Sequence, residues 1–147
     1  MKTKPKPGSA EIAIQANRAW LQALPGLKKT VKAVAIAAGG HNLSIRFAED
    51  MEVAALNHDF RGKNKPTNVL SFPAEGGYQG DIILARGVVM AEAKAQGKLP
   101  LHHTLHLVAH GVLHLLGYDH EENADAKRME SREIALLRSF GIGNPYE

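Results

Sequence analysis

The chain has 147 residues, of which 44% are hydrophobic, and it contains no cysteine. This length and apolar content suit one domain with an ordinary core, and the lack of cysteine excludes disulfides and thiolate metal sites. Any bound metal would therefore be held by histidine and carboxylate. The formal net charge of +3 permits an RNA partner but does not by itself distinguish one from ordinary solubilising charge.

The first nine residues predict a disordered basic tail. Lys2, Lys4 and Lys6 have no apolar run behind them, so this segment does not have the pattern of a secretory signal. No stretch of the chain approaches the length of a membrane span. Together with the lack of cysteine, which fits a reducing compartment, these features predict a cytoplasmic protein with one domain over residues 10–147.

The first half of the chain predicts strands and helices in alternation. A strand is indicated at 11–15, although the same residues followed by Trp20 also fit a helix. The next predicted elements are a helix from about Leu27 to Ala38 that ends at Gly39 and Gly40, a strand from Leu43 to Phe47, and a short helix through Leu56 that Asp50 caps.

A polar segment, His58 to Thr67, predicts a loop before the second half. It is followed by a strand from Val69 to Phe72 closed by Pro73, a glycine-rich turn from Glu75 to Gly80, a strand from Asp81 to Leu84, a helix from about Val88 to Gln96, and a helix opened by Pro100. A last helix is capped by Asn123 and turns Ala126, Met129, Ile134, Leu137 and Phe140 inward. The order predicts an α+β (α/β-like) domain, a small mixed sheet covered by helices, with a metal-binding helix and turn beside it.

That helix carries the most informative motif of the chain, from His110 to His120. His110 and His114 stand four residues apart, so on a helix their imidazoles project from one face. Gly117 favours a left-handed helix end, after which the chain returns and brings His120 back toward the pair. Three such ligands leave one position of a tetrahedral zinc ion open, which is typical of a catalytic site.

His106 lies on the same stripe and is the alternative third ligand. Positions i, i+4 and i+8 spread over ~12 Å of helix axis at ~1.5 Å per residue, a span from which three imidazoles do not converge easily on one ion. His120 is therefore preferred, and His106 either supports a ligand or is a core histidine. The alternative for the whole motif is a buried helix whose histidines are satisfied by hydrogen bonds.

The ligand spacing matches that of the metzincin proteases, which carry a glutamate general base directly after the first histidine. Here that position is Gly111, which cannot accept a proton. A hydrolysis other than peptide cleavage is expected, with the base coming from elsewhere or from the water that the metal activates. Asp119, next to Tyr118 beside the ligands, either orients a histidine or only makes the turn.

A second unusual stretch runs from Leu56 to Pro73 and contains Arg61 in the predicted loop. The planar fork of an arginine can clamp a phosphate, and Lys63 and Lys65 could follow an RNA backbone. The charge pattern alone favours a solvated charged loop over a phosphate site.

These motifs together resemble the YbeY family of bacterial rRNA maturation factors. The matching segments are HGVLHLLGYDH, RGKNKPTNVLSFP, GDIIL at Gly80 to Leu84, and NPY near the end, and the resemblance extends from about Val34 to Tyr146. It implies a metal-dependent, single-strand-specific endoribonuclease that acts in 16S rRNA 3′-end maturation and ribosome quality control. By position, the resemblance assigns one zinc ion per chain to His110, His114 and His120, and a part in activity to Arg61. Asn64 stands where an aspartate is common in the family.

The expected partners are single-stranded ribosomal RNA and the small ribosomal subunit with its assembly factors, without membrane or DNA. Two other functions stay open: a metal hydrolase of a non-RNA substrate, and an assembly factor whose zinc is mainly structural. The nucleophile is open as well, because either water or the ribose 2′-OH could attack the phosphorus. A 2′,3′-cyclic phosphate product would exclude direct attack by water.

Overall fold

The computed structural model describes residues 11–62, 67–119 and 121–147, without the side chains of Phe60 and Arg61. Four strands of this part of the chain form one mixed sheet. The strands are β1 (Ile12–Ala16), β2 (Leu43–Ala48), β3 (Val69–Pro73) and β4 (Gly80–Ala85). Their order is β1-β2-β4-β3. β1, β2 and β4 are parallel, whereas β3 pairs antiparallel with β4 and is an edge strand of the sheet that the described residues form.

The described residues also form six helices that pack on the sheet and on one another. They are α1 (Arg18–Ala23), α2 (Leu27–Ala37), α3 (Asp50–Arg61), α4 (Arg86–Gln96), α5 (Pro100–Leu115) and α6 (Asn123–Arg138). None of these helices is both long and apolar enough to cross a membrane.

The main core lies between one face of the sheet and α2, α5 and α6. Alternate residues of the strands enter it, because successive side chains of a strand point to opposite faces. Its sheet side includes Ile12, Ile14, Leu43, Ile45, Phe47, Ile82 and Leu84. A smaller cluster on the opposite face joins Ala48, Leu70, Ile83 and Ala85 to Val53 of α3.

α5 lies at the centre of this arrangement and contacts β3, β4, α2, α4 and α6. Pro100 stands at its start, where a missing N–H is tolerated. At its end, the amides of Gly117 and Tyr118 donate to the carbonyls of His114 and Leu113, each at 3.0 Å. Gly117 has a φ of 99°, so this is a Schellman-type end that requires glycine.

The predicted α+β fold and most of the predicted elements are confirmed. The strand predicted at 11–15 is β1, shifted by one residue to Ile12–Ala16, and the helical alternative there is wrong, since Trp20 lies on the separate helix α1. The predicted tail lies outside the described residues.

Three boundary predictions are wrong. The segment from His58 to Arg61 is the last turn of α3 rather than a loop, because the left-handed Gly62, with φ 68°, is what ends the helix. Asp50 and Asn123 are the first helical residues rather than caps, and Glu49 and Glu122 precede them. Asp50 instead accepts a hydrogen bond from the Val88 amide at 3.2 Å.

The inward face predicted for α6 is partly wrong. Phe140 lies beyond the end of the helix and is 36% exposed, whereas Met129, Glu133, Leu136 and Leu137 are the buried residues of α6. Glu133, a charged residue, thus lies on the buried face of α6, where the apolar pattern predicted hydrophobic side chains.

Glu49 ties together segments that follow the parallel strands. Arg86 donates to it through Nε, at 2.9 Å, and through Nη2, at 2.7 Å, while Asn17 donates at 2.8 Å. The hydrogen bonds from Arg86 outweigh partial burial and lower the pKa of the Glu49 carboxyl. A carboxyl whose pKa is depressed by folding stabilises the fold above its unfolded pKa, and this stabilisation is lost as the pH falls through the lowered value.

We expect Glu49→Gln to lower the free energy of unfolding by roughly 1 kcal/mol at pH 7, because the bidentate pair is partly exposed and screened. The difference from wild type should shrink as the pH falls below about 4.5, the ordinary value of the group. Urea denaturation at pH 7 and pH 3 measures this, with Glu75→Gln in an exposed turn as the control. An equal difference at both pH values would contradict the assignment.

Candidate metal centre

A groove of about 620 Å³ lies between β3, the edge strand of the described sheet, and one face of α5. Its lining is mostly polar and includes three histidines of α5. The lining residues are Asn68, Val69, Ser71, Pro73, His106, Leu107, His110, His114, Asp119, Glu121 and Tyr146. The volume falls in the range of ~300–1,000 Å³ that ligand sites usually have.

His110 and His114 stand next to one another in this groove. Their ring centroids are 4.7 Å apart and the ring planes meet at 83°. Val112 and Leu113 between them are fully buried, which anchors the helix so that the two imidazoles are held at the groove side. The prediction that the pair shares one helix face agrees with this arrangement.

Glu133 of α6 lies next to the His110 ring on the interior side, and its side chain has no solvent exposure. Its Oε2 is 3.3 Å from Nδ1 of His110 and 2.7 Å from Nε2 of His106. Its Oε1 accepts a hydrogen bond of 2.8 Å from the hydroxyl of Tyr146. The carboxylate therefore has partners on both oxygens, as a buried charge requires.

The surroundings of this carboxylate favour its ionised form. Burial by itself raises the pKa of Glu133, but the hydrogen bonds with His106 and His110 outweigh burial and lower the pKa to about 2. Burial and the neighbouring Glu133 raise the pKa of the Tyr146 phenol, which stays a hydrogen-bond donor at neutral pH.

His106 belongs to this network. Its side chain is 12% exposed, and its ring centroid lies 6.4 Å from that of His110. Nε2 points to Glu133, and the ring meets Tyr146 edge-on at 5.3 Å. Of the roles considered for His106, its contacts fit best a residue that supports its neighbour His110 through a shared carboxylate.

Gly111 faces the sheet rather than the groove. A Cβ atom at this position would lie 3.1 Å from two side-chain carbons of Ile82 and 3.3 Å from the hydroxyl of Ser71. The close approach of α5 to β3 and β4 explains why glycine suits the position after the first histidine.

Tyr118 and Asp119 form the turn after α5. Asp119 Oδ1 accepts a hydrogen bond of 3.2 Å from the Glu121 amide, so this side chain makes the turn, and it also lines the groove. Tyr118 is half-buried and contributes its backbone amide to the end of α5.

Four predicted site residues fall outside what the structure describes. These are His120, Lys63, Lys65 and, for its side chain, Arg61, whose backbone ends α3. Among the described residues no group of three or more histidines and carboxylates is arranged to hold a metal. The two imidazoles of His110 and His114 nevertheless suit two of the coordination positions of a single zinc ion, because they are adjacent. His110 also contacts a carboxylate through its other ring nitrogen, which is a common feature of metal-binding histidines.

Sequence reasoning missed Glu133 and the role of Tyr146. Glu133 falls four residues after Met129 and four before Leu137, so it lies on the apolar stripe of α6. A carboxylate on such a stripe is rarely buried unless it is paired, and this was the available signal. The pairing itself depends on how α6 crosses α5, which the local pattern does not contain.

The sequence of this chain matches a known protein family. The family model "Endoribonuclease YbeY" matches residues 7–141. A relative named Endoribonuclease YbeY from Azorhizobium caulinodans is 46% identical over 147 aligned residues, covering 95% of this chain and 87% of that protein. Another of the same name from Chromohalobacter salexigens is 51% identical over 112 aligned residues, covering 72% of this chain and 73% of that protein.

The fold has a counterpart among solved structures. The solution structure of TM1509 from Thermotoga maritima superimposes with a TM-score of 0.64 at 29% sequence identity and covers 87% of each chain. The family model and these relatives together cover the sheet, α5 and the histidine motif. The chain belongs to the YbeY family.

Proposed function

We propose that this protein is a zinc-dependent, single-strand-specific endoribonuclease that acts in 16S rRNA 3′-end maturation and ribosome quality control in the cytoplasm. The observation that carries the proposal is the adjacent pair His110 and His114 in a polar groove, within a chain of a family whose members are named endoribonucleases. The polar side chains that line the groove along β3 can hydrogen-bond the base edges that a single strand exposes.

In this proposal His110, His114 and His120 hold one zinc ion. When bound, such an ion supplies Lewis-acid activation and positive charge beside the scissile phosphate. Glu133 holds the ring of His110 from below, and Ser71 and Asn68 offer polar groups on the opposite wall of the groove. Arg61 neutralises charge that develops on the phosphate, which a bidentate guanidinium does better than an ammonium group.

Peptide cleavage is the less favoured reaction for this groove. The position that carries the general base in proteases of the same histidine spacing is Gly111, which packs on Ile82 and Ser71. A side chain at this position would first meet the side chains of Ile82 and Ser71, which would have to move to make room for it.

We expect His114→Ala to abolish cleavage of a defined single-stranded RNA and to lower zinc affinity by more than about 100-fold, because one of three ligands is lost. Arg61→Ala should keep zinc but slow cleavage by about 100-fold, the usual effect of removing one group that stabilises developing charge. Metal analysis and a cleavage assay with and without chelator measure both. His102→Ala, on the same helix but away from the groove lining, is the matched control.

Different results would favour the other functions. Cleavage that persists in His114→Ala refutes the proposed metal centre. If Arg61→Ala keeps cleavage and zinc but loses association with the small ribosomal subunit, the protein is an assembly factor rather than a nuclease.

We expect replacement of Lys63 and Lys65 by alanine to weaken RNA binding and to flatten its salt dependence. Each phosphate contact on a single strand contributes ~0.7 to the slope of log K against log salt concentration, so the slope should fall by about 1.4. Fluorescence anisotropy over a salt series measures it. Lys29 and Lys32, which are exposed on α2, provide the control pair, and an unchanged slope refutes the role of the two lysines.

We expect Gly111→Glu to lower the free energy of unfolding by at least ~3 kcal/mol, since overpacking adds to the burial of a carboxylate. The variant should gain no peptidase activity. Urea denaturation and a casein assay test this, with Gly143→Ala as control because a Cβ there meets nothing within 4 Å. A stable variant that cleaves casein would show that the groove can accept protease chemistry.

A further inference from the structure

A network of three side chains lies behind His110, in which Glu133 is fully buried, His106 is mostly buried and Tyr146 is half-exposed. Glu133 contributes its carboxylate, Tyr146 its hydroxyl and His106 its Nε2. They come from three separate segments, namely α6, the end of the chain and α5. We propose that Glu133 is a positioning residue, which fixes the tautomer and the ring orientation of His110 so that Nε2 is the nitrogen available to a metal. This inference rests on the proposed metal centre and extends it.

The hydrogen bonds determine the positions of the protons. An ionised carboxylate only accepts hydrogen bonds, so each partner must supply a proton. Tyr146 donates its single proton to Oε1 at 2.8 Å, which leaves Oε2 to the two histidines. His106 therefore carries its proton on Nε2, and His110 carries its proton on Nδ1.

The protonated Nδ1 decides which nitrogen of His110 can bind a cation. In a neutral imidazole, only one nitrogen bears a proton, and the other bears the lone pair. With Nδ1–H directed to Glu133, the lone pair is on Nε2 of a residue that lines the groove. Ligand histidines commonly donate their other N–H to a carboxylate or carbonyl in this way.

The burial of Glu133 explains why this carboxylate, rather than water, is the partner of Nδ1 of His110. Glu133 has no exposure, compared with 23% for the side chain of His110, so water cannot replace it as the partner of Nδ1. Tyr146 and His106 hold the carboxylate from two other directions, and Glu133 cannot turn away without leaving polar groups unpaired in the interior.

The same helix offers a matched comparison. His103 of α5 contacts Glu92 through Nε2 at 2.9 Å, so it too has a glutamate partner. The His103 side chain is only 5% exposed and does not line the groove. Glu92 also accepts a hydrogen bond from Asn68 of the groove wall at 3.1 Å, but its partners among the described residues are His103 and Asn68 rather than His110 or His114. Glu92→Gln therefore alters a histidine–carboxylate pair of the same chemistry at a different histidine.

The first experiment needs no metal. Long-range ¹H–¹⁵N NMR of the metal-free protein reports which ring nitrogen of His110 is protonated. We expect the Nδ1–H form in the wild type and a mixture of tautomers, or the Nε2–H form, in Glu133→Gln. Glu92→Gln should leave the spectrum of His110 unchanged. A wild-type His110 in the Nε2–H form, or an Nδ1–H form that survives in Glu133→Gln, overturns the proposal.

The second experiment measures zinc affinity by competition with a chromophoric chelator. Loss of an outer hydrogen-bond partner typically weakens metal binding by about 10–100-fold, so we expect this range for Glu133→Gln. Tyr146→Phe should give a smaller loss, because Glu133 keeps both histidines, and Glu92→Gln should bind as the wild type does. Equal affinities in Glu133→Gln and wild type overturn the proposal.

The two experiments separate this inference from the proposed function. If the wild type binds no zinc, the proposed metal centre fails while the tautomer measurement still decides whether Glu133 fixes His110. If Glu133→Gln does not fold, Glu133→Asp, which keeps the charge on a shorter side chain, takes its place. Its withdrawn carboxylate should weaken zinc binding, and wild-type affinity together with an unchanged tautomer would contradict a positioning role.

Discussion

A carboxylate without solvent exposure, held between α5, α6 and the end of the chain, is the constraint on which the candidate centre depends. Glu133 must be paired on both oxygens to stay ionised in the interior, and its partners are His106, His110 and Tyr146. The requirement acts in both directions. The buried carboxylate needs these hydrogen-bond partners, and its contacts with the rings of His106 and His110 restrict the orientations of those rings.

The packing of α5 explains why two histidines line the groove and why glycine stands between them at the position after the first. One side of the helix approaches β3 and β4 so closely that Gly111 meets Ile82 and Ser71, while another side carries His110 and His114 into the groove. A shared histidine spacing can thus serve different chemistry in different proteins. In this chain, the side chains of Ile82 and Ser71 crowd the position that carries the glutamate in such proteases.

Most of the helices and strands could be predicted from patterns of residues that are close together in the sequence. The alternation of Leu43, Ile45 and Phe47 predicted β2, and Gly117 predicted the end of α5, because both features depend on residues that are close in the chain. Where α3 ends was not predictable from the polar character of 58–67, since propensity alone does not separate a polar last turn from a loop.

The candidate centre was predictable only in part for a similar reason. The four-residue spacing of His110 and His114 is a local property that a helix converts directly into proximity. Glu133 lies 23 residues beyond His110, and its contact depends on the crossing of α5 and α6. Tyr146 enters through the segment after α6, which no periodic pattern describes.

The most direct test is a crystal structure of the zinc-loaded protein with anomalous diffraction data collected at the zinc edge. We expect one zinc peak per chain, bonded to Nε2 of His110, to His114 and to His120, with Nδ1 of His110 still hydrogen-bonded to Glu133. A zinc peak elsewhere, or one bonded to Nδ1 of His110 with Glu133 displaced, would contradict this expectation.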